Sequence, residues 1–339
     1  MAGDWFESIT GFREQGWEAT RRRLAVEGEH LVSRVDGSRH GIGRFATPSL
    51  GELRAQPLAR VARTRVDCLG GDARALHSDP RFAGATFQVA SQFNALEMFS
   101  PAVTPEDGVT GYADDPTQGP ACAIAAGAAT IWRNYFMPLA DGEGQTATRQ
   151  LDTLADLGQD LAAALGCPVA SLWTLRNGYA LATREGLRAV GHLLRDASDE
   201  ERDRLRSRLR VAWQRDAEVT DAPPGARPRV SQVFCSALPV AYTAIAPAQW
   251  QPFARLVLEA AYEATLRAAA AQHAAGGSGT VLLTRVGGGV FGNRDDWIDD
   301  ALVRALAAVE FAGLDVRLVS RGVPHPSFAR IAARWSAAG

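Results

Sequence analysis

One late segment constrains the fold of this chain more than any other. Residues 279–286, GTVLLTRV, form an apolar run that reads as a buried strand, and Gly287-Gly288-Gly289-Val290-Phe291-Gly292-Asn293 follows it. A helical stretch, DDWIDDALVRALAAVEFAG, comes next, and then a second apolar run, LDVRLVS at 314–320. Strand, glycine loop, helix and strand make a crossover unit. The two runs are expected as adjacent parallel strands, with the loop at the carboxyl end of the first. Three consecutive glycines cost chain entropy that a simple turn does not need, and N–H groups beside a helix N-terminus suit a phosphate. A tight turn without a ligand is the competing reading. Gly287, Gly289 and Gly292 also satisfy G-x-G-x-x-G, but that fingerprint normally opens its fold. Only 47 residues follow Gly292 in this chain of 339, so the fold is one that places its phosphate loop late.

The chain ahead of this unit divides into recognisable parts. Residues 1–45 are polar and read as an N-terminal extension, with Trp5, Phe6, Phe12 and Trp17 available as anchors. A single α/β domain is expected over 46–322, with insertions at about 95–117 and 141–228 and a C-terminal tail at 323–339. Ser49 and Glu52 stand at capping-box spacing. RTRVDCLGGD reads as a short strand with a glycine turn, and ATFQVASQFN (85–94) as a second strand. Residues 95–117 carry Pro101, Pro105, Gly108, Gly111 and Pro116 and read as a long loop, a length usually reserved for function or disorder. GPACAIAAGAATIWRNYF (119–136) is expected as one small-residue helix, and 149–165, 186–196 and 199–216 as three more. LWTLRNGYAL (172–181) reads as a helix connection, with a lid over the pocket as the competing reading. After the DAPPGARP breaker (221–228), strands and helices alternate, which argues for a largely parallel sheet covered on both faces.

Composition closes several functions. All 36 basic residues are arginine, so a Walker A loop, a pyridoxal-phosphate Schiff base and a typical kinase are excluded for want of a lysine. The formal net charge of −2 offers no general field for nucleic acid. Cys68, Cys122, Cys167 and Cys235 lie far apart and suggest neither a zinc knuckle nor a disulfide framework. The N-terminus has no apolar leader and no run approaches a bilayer span, so a reduced, cytoplasmic protein without membrane contact is expected.

Four segments, in order, resemble the macrodomain, the ADP-ribose-binding family. Gly70-Gly71-Asp72 after a short strand resembles its early Gly-Asp element. QVASQFN (88–94) resembles the strand and Asn-bearing loop beside the distal ribose. TQGPACAIAAGA (117–128) resembles the glycine loop and the small-residue helix after it. Gly288-Gly289-Val290-Phe291-Gly292 resembles the diphosphate loop. The match covers about half the chain. It departs from the family at the N-A-A-N motif, where ASQFN stands, and at a catalytic Asp of some members, where Ala121 and Cys122 stand. The resemblance implies a three-layer α/β/α fold with a mixed, largely parallel sheet.

It also implies ADP-ribose, or an ADP-ribosylated protein, nucleic acid or small molecule, as ligand or partner, and ADP-ribosyl hydrolysis or plain binding as the function. No metal or cofactor is expected. Asp72, next to Ala73, would accept from the adenine amino group or else cap the next turn. Gly119 would supply N–H donors from a helix start. The loop from Gly287 to Asn293 would hold a phosphate. Phe291 would pack on the distal ribose or else be a core aromatic. Breaking the ribosyl bond needs an oxocarbenium-like centre stabilised and a water positioned. Asn94 would orient a ribose hydroxyl. Glu97 or Asp115, from a loop that also holds Glu106, Asp107 and Asp114, would reach the attacked carbon unless the loop is merely a solvated acidic surface. Gln92 and Gln118 are further hydrogen-bonding candidates.

Overall fold

The computed structural model describes residues 4–337. Its centre is a seven-stranded sheet. The strands are β1 (Arg44–Ala46), β2 (Arg65–Gly70), β3 (Thr86–Ala90), β4 (Ala212–Glu218), β5 (Arg229–Cys235), β6 (Thr280–Leu283) and β7 (Asp315–Ser320). Their spatial order is β1-β4-β5-β3-β6-β7-β2. β5, β3, β6, β7 and β2 run parallel, and β4 is antiparallel to both of its neighbours. The expected late crossover is present, with Thr280 to Leu283 in parallel register with Asp315 to Leu318.

Ten helices matter here: α1 (Leu50–Ala55), α2 (Ala73–Ser78), α3 (Gln118–Ala125), α4 (Gly127–Tyr135), α5 (Ala155–Leu165), α6 (Arg184–Asp196), α7 (Asp199–Arg208), α8 (Pro247–Ala274), α9 (Asp295–Ala308) and α10 (Pro326–Ala337). The pleat sorts side chains onto two faces. Val281 and Leu283 of β6, with Val316 and Leu318 of β7, pack against Trp250 and Leu258 of α8 and Trp297 and Leu302 of α9. On the opposite face Leu282 and Val319 pack with Leu76 of α2 and with Phe87. Val89 and Phe234 pack there with Cys122 of α3. A period-2 pleat covered on both sides by helices is the three-layer α/β/α arrangement.

Four parts differ from the sequence expectation. The small-residue helix breaks at Ala126 (φ −107, ψ 55) into α3 and α4. Gly127 follows the break, and a Cβ there would strike Ile9 and Trp5. The charged helix stops at Arg208, and Ala212–Glu218 is a sheet strand, so the second insertion ends before 212. A register shift between Gln214 and Ala217, with Asp216 at φ 56, bulges β4 and blurs its alternation. The segment expected as a tail carries α10, whose Phe328 and Ile331 enter the main core. The N-terminal stretch forms the antiparallel strands Leu24–Glu27, His30–Ser33 and Arg39–Gly41. Its Trp5, Phe6, Phe12 and Trp17 are buried in one cluster with Ile124, Ile131 and Tyr135 of α3 and α4. Among the described residues no helix is long and apolar enough to cross a membrane.

Candidate active site

The chain leaving β3 reaches α3 on one face of the sheet, while the chain leaving β6 reaches α9 on the other. Adjacent parallel strands whose connections part in this way open a crevice at their carboxyl ends. A cleft of about 670 Å³ lies there. That volume is in the range of small-molecule sites. Residues Ala90 to Gln92, Pro116 to Gly119, Thr284 to Gly287, Gly289 to Phe291 and Gly71 to Ala73 line it, together with Ser320, Arg321 and His325. The four segments of the resemblance thus meet in one place.

Glu97 is the buried acid of this cleft. It is 4% exposed, and its Oε1 has no hydrogen-bond partner. Its backbone N–H donates to the Tyr112 hydroxyl at 3.0 Å. Ala95, two residues earlier, is in the left-handed region at φ 58. Burial pushes the Glu97 carboxyl well above the usual carboxylate range, opposed by the Arg133 guanidinium and helped by Asp115. The start of α3 crosses directly over the carboxyl. A Cβ on Gly119 would overlap Glu97 Oε2 and the Ala90 carbonyl oxygen, so only glycine fits.

The glycine loop forms the opposite wall. Gly287 (φ 78) and Gly292 (φ 71) need the freedom of glycine. Asn293 fastens the loop, its Nδ2 donating to the carbonyls of Leu238 and Gly287. Gly292 N–H donates back to Gly289 O and Asn293 N–H to Gly287 O. Among the described residues no protein group accepts from the N–H groups of Gly289, Val290 and Phe291. Three successive free donors beside the start of α9 suit an anion. Gly289 has open space where its Cβ would be, whereas a Cβ on Gly288 would meet Ile298. Gly288, Gly292 and Asn293 therefore shape the loop without lining the cleft. Phe291 has two faces in use. It lines the cleft, and it packs on Tyr179 and Tyr242 with ring centroids 5.4 and 5.5 Å away.

At the β2 end, Asp72 lines the cleft and also caps α2, its Oδ1 accepting from Ala75 N–H.

Several expected site residues are spent on the fold. Asn94 is fully buried and outside the cleft. Its Nδ2 donates to Gln150 Oε1 and its Oδ1 accepts from Leu96 N–H. Asp115 accepts from Thr117 N–H and does not line the cleft. Gln118 lines it only as a strap. Its amide accepts from Ala90 N–H and donates to Gln88 O and to Cys122 Sγ. Gln92 likewise accepts from Met98 N–H and donates to the Tyr179 hydroxyl. Glu106 accepts from Ala147 N–H, and Asp107 caps its own turn.

Other members went unseen in the sequence. Arg133 stands near the end of the small-residue stretch, where an arginine ordinarily caps a helix, and is instead fully buried in the core. Tyr112, Thr284, Arg321 and His325 carried no local pattern. The 172–181 connection is a hairpin (Trp173–Arg176 and Tyr179–Ala182) whose Tyr179 props Phe291. Among the described residues no cluster of three or more His, Cys, Asp or Glu could hold a metal ion.

No protein-family model and no curated protein matches this chain. Among solved structures it is similar to the poly(ADP-ribose) glycohydrolase of Thermomonospora curvata at 13% identity, over 98% of this chain and 97% of that one, with a TM-score of 0.46. The same enzyme bound to the inhibitor ADP-HPD gives 15% identity, 97% of each chain and a TM-score of 0.42. The poly(ADP-ribose) glycohydrolase of Deinococcus radiodurans in complex with ADP-ribose gives 13% identity, 96% of this chain, 99% of that one and a TM-score of 0.44.

Proposed function

We propose that this protein is an ADP-ribosyl hydrolase in which Glu97 is the proton donor. The observation that carries the reading is the Glu97 carboxyl, buried, with Oε1 unpartnered, in the same cleft as the three free N–H groups of the glycine loop. The order of the sheet supports ADP-ribose as the occupant. Glu97 and Gly119 stand by β3, the anion loop follows β6, and Asp72 follows β2, across the order β3-β6-β7-β2. Three strand spacings of about 4.8 Å give a span of about 14 Å. A ligand with a reactive ribose at one end, a diphosphate in the middle and an adenine at the other matches that spacing of functions.

A carboxyl held protonated by burial is suited to act first as an acid. Glu97 gives its proton to the oxygen or nitrogen leaving the anomeric carbon of the distal ribose. Water then adds to that carbon and returns a proton to Glu97. One glycosidic bond breaks, one C–OH bond forms, and one water is consumed. The diphosphate and adenine contacts hold the ribose in place, and no cofactor enters the reaction.

The test is release of ADP-ribose from proteins modified on Arg, on Glu or Asp, and on Ser, from poly(ADP-ribose), and from modified nucleic acid. Glu97→Gln should lower turnover on the accepted substrate by about 10²–10⁴-fold while still binding ADP-ribose. Tight binding with no release from any of these substrates would make the protein an ADP-ribose-binding module instead.

A further inference from the structure

Burial and the nearby Asp115 resist the ionisation of Glu97, and Arg133 opposes them. Tyr112 and Asp115 face it from the loop, Cys122 from α3, Tyr179 from the hairpin and Cys235 from β5. None of these is a cation. Arg133, on α4, is the cation that faces it, and Arg133 is itself fully buried. Its guanidinium lies over the Phe234 ring, 3.8 Å from the centroid. Its hydrogen bonds go to neutral acceptors: Nε donates to the Ala95 carbonyl, Nη2 to Thr130 Oγ1 and Nη1 to Gln214 Oε1. A buried cation without a bonded carboxylate is costly, and a fold that needed only packing would fill the space with an apolar residue. Two features of this arrangement point to Glu97. The Ala95 carbonyl that accepts from Arg133 belongs to a left-handed residue two positions before Glu97. The charge of the guanidinium acts on Tyr112 and on Glu97, and Glu97 is the carboxyl of the two.

We propose that Arg133 is the positioning residue for Glu97: through the Ala95 carbonyl it fixes the turn that carries the acid, and through its buried charge it sets how readily that acid gives up a proton. This rests on Glu97 being the proton donor. Without Arg133, burial and Asp115 would disfavour the Glu97 carboxylate with no cation set against them. The proton would leave too reluctantly, and the carboxylate left after transfer would have no cation to settle against. With Arg133 in place the carboxyl stays protonated in the resting protein, yet its conjugate base is tolerated.

The two roles separate in two variants. Arg133→Met removes both charge and donors. Arg133→Lys keeps the charge and loses the planar fork. In Arg133→Met the alkaline limb of the kcat–pH profile should move to higher pH, and turnover at the optimum should fall by at least about tenfold. In Arg133→Lys turnover should fall while the limb stays near its wild-type position. ADP-ribose affinity should remain within about threefold in both, since the adenine and diphosphate contacts lie elsewhere. A second readout needs no turnover. The infrared carbonyl band of the protonated Glu97 carboxyl, identified by its loss in Glu97→Gln, should titrate at higher pH in Arg133→Met. If Arg133→Met does not fold, Arg133→Gln, neutral but still a donor, must show the same shift. A folded neutral variant with an unshifted band overturns the proposal. If the wild type releases no ADP-ribose from any substrate, the hydrolase reading fails by itself, and the band titration still decides the role of Arg133.

Discussion

Acidification should destabilise this protein through His77, by an amount that its surroundings fix. The imidazole is fully buried and stacked on Phe87, with ring centroids 3.7 Å apart. Nδ1–H donates to the Ala73 carbonyl, and Nε2 accepts from the Gln232 amide. The neutral ring therefore uses both nitrogens. A second proton on Nε2 would face the amide hydrogens of Gln232. Burial lowers the His77 pKa from 6.5 to about 4. The unfolded chain thus binds the proton near the upper value and the folded chain only near the lower. Between them the unfolded state holds more protons, so this contribution is complete above pH 6.5 and is lost as pH falls toward 4. At 1.36 kcal/mol per unit the loss reaches about 3 kcal/mol. The assay is urea unfolding of wild type and His77→Phe from neutral pH down to about 4.5. Phenylalanine keeps the stack on Phe87 and removes the titration. Glu97 opposes the trend, because a raised carboxyl adds stability at low pH, but it is present in both proteins and cancels in their difference. Wild type should lose most of that 3 kcal/mol relative to His77→Phe across the window. Parallel pH dependences for the two proteins would refute the reasoning. His77 also holds the Ala73 carbonyl beside Asp72, so ADP-ribose affinity should weaken over the same window.

Two glycines separate binding from chemistry. Gly289→Val places a branched side chain in open cleft space, on backbone outside the left-handed region, so the fold should be unchanged. ADP-ribose affinity should fall by about 10²-fold, the loss expected when two N–H groups can no longer reach a charged phosphate, and calorimetric titration checks it. Gly119→Ala sets a methyl group against the Ala90 carbonyl and Glu97 Oε2. It should cost about 1–3 kcal/mol of stability by denaturant unfolding. It should also lower turnover by at least about tenfold in a release assay, because the carboxyl is pushed aside. Unchanged turnover would remove the Glu97–Gly119 contact from the site.

How much of this was legible in the sequence depended on the range of the interactions. The late crossover was readable because β6 and β7 are apolar runs bounded by glycine, and that pattern is local. The glycine loop was readable for the same reason. Asn94 was mistaken for a site residue because it stands just past a strand that ends at the cleft. Asn94 is bonded to Gln150, the next residue Ala95 is left-handed, and it is Glu97 that lines the cleft. Nothing in the local spacing announces a positive φ at an alanine. Asp115, Glu106 and Asp107 look like a reactive acidic loop in sequence, and each proves to be bonded to a backbone N–H group. Arg133 was hidden by its setting, since an arginine near a helix end is ordinarily a cap, and only the packing of α4 against β5 buries it over Phe234.

The same long-range contacts explain why the N-terminal stretch is part of the site's support rather than an appendage. Glu97 hangs from a loop of residues 95–117 with little regular structure. Such a loop holds a side chain in place only if it is fastened elsewhere. Glu14 accepts from Val109 N–H, Thr110 N–H and the Tyr135 hydroxyl, tying the loop to α4. A Cβ on Gly108 would strike the Glu14 carboxylate, so the loop approaches this anchor closely. Asn134 donates to the Pro105 carbonyl from α4, and Asn177 donates to the Pro101 carbonyl from the hairpin. Tyr112, between the Glu14 and α3 attachments, accepts from Glu97 N–H. Three separate parts of the chain thus converge on one loop, and each supplies a polar group to a backbone atom that would otherwise be unpaired. The rigidity given to Glu97 is therefore a property of the whole chain. A core reduced to the sheet and its flanking helices would keep the anion loop and lose the fixed position of the acid.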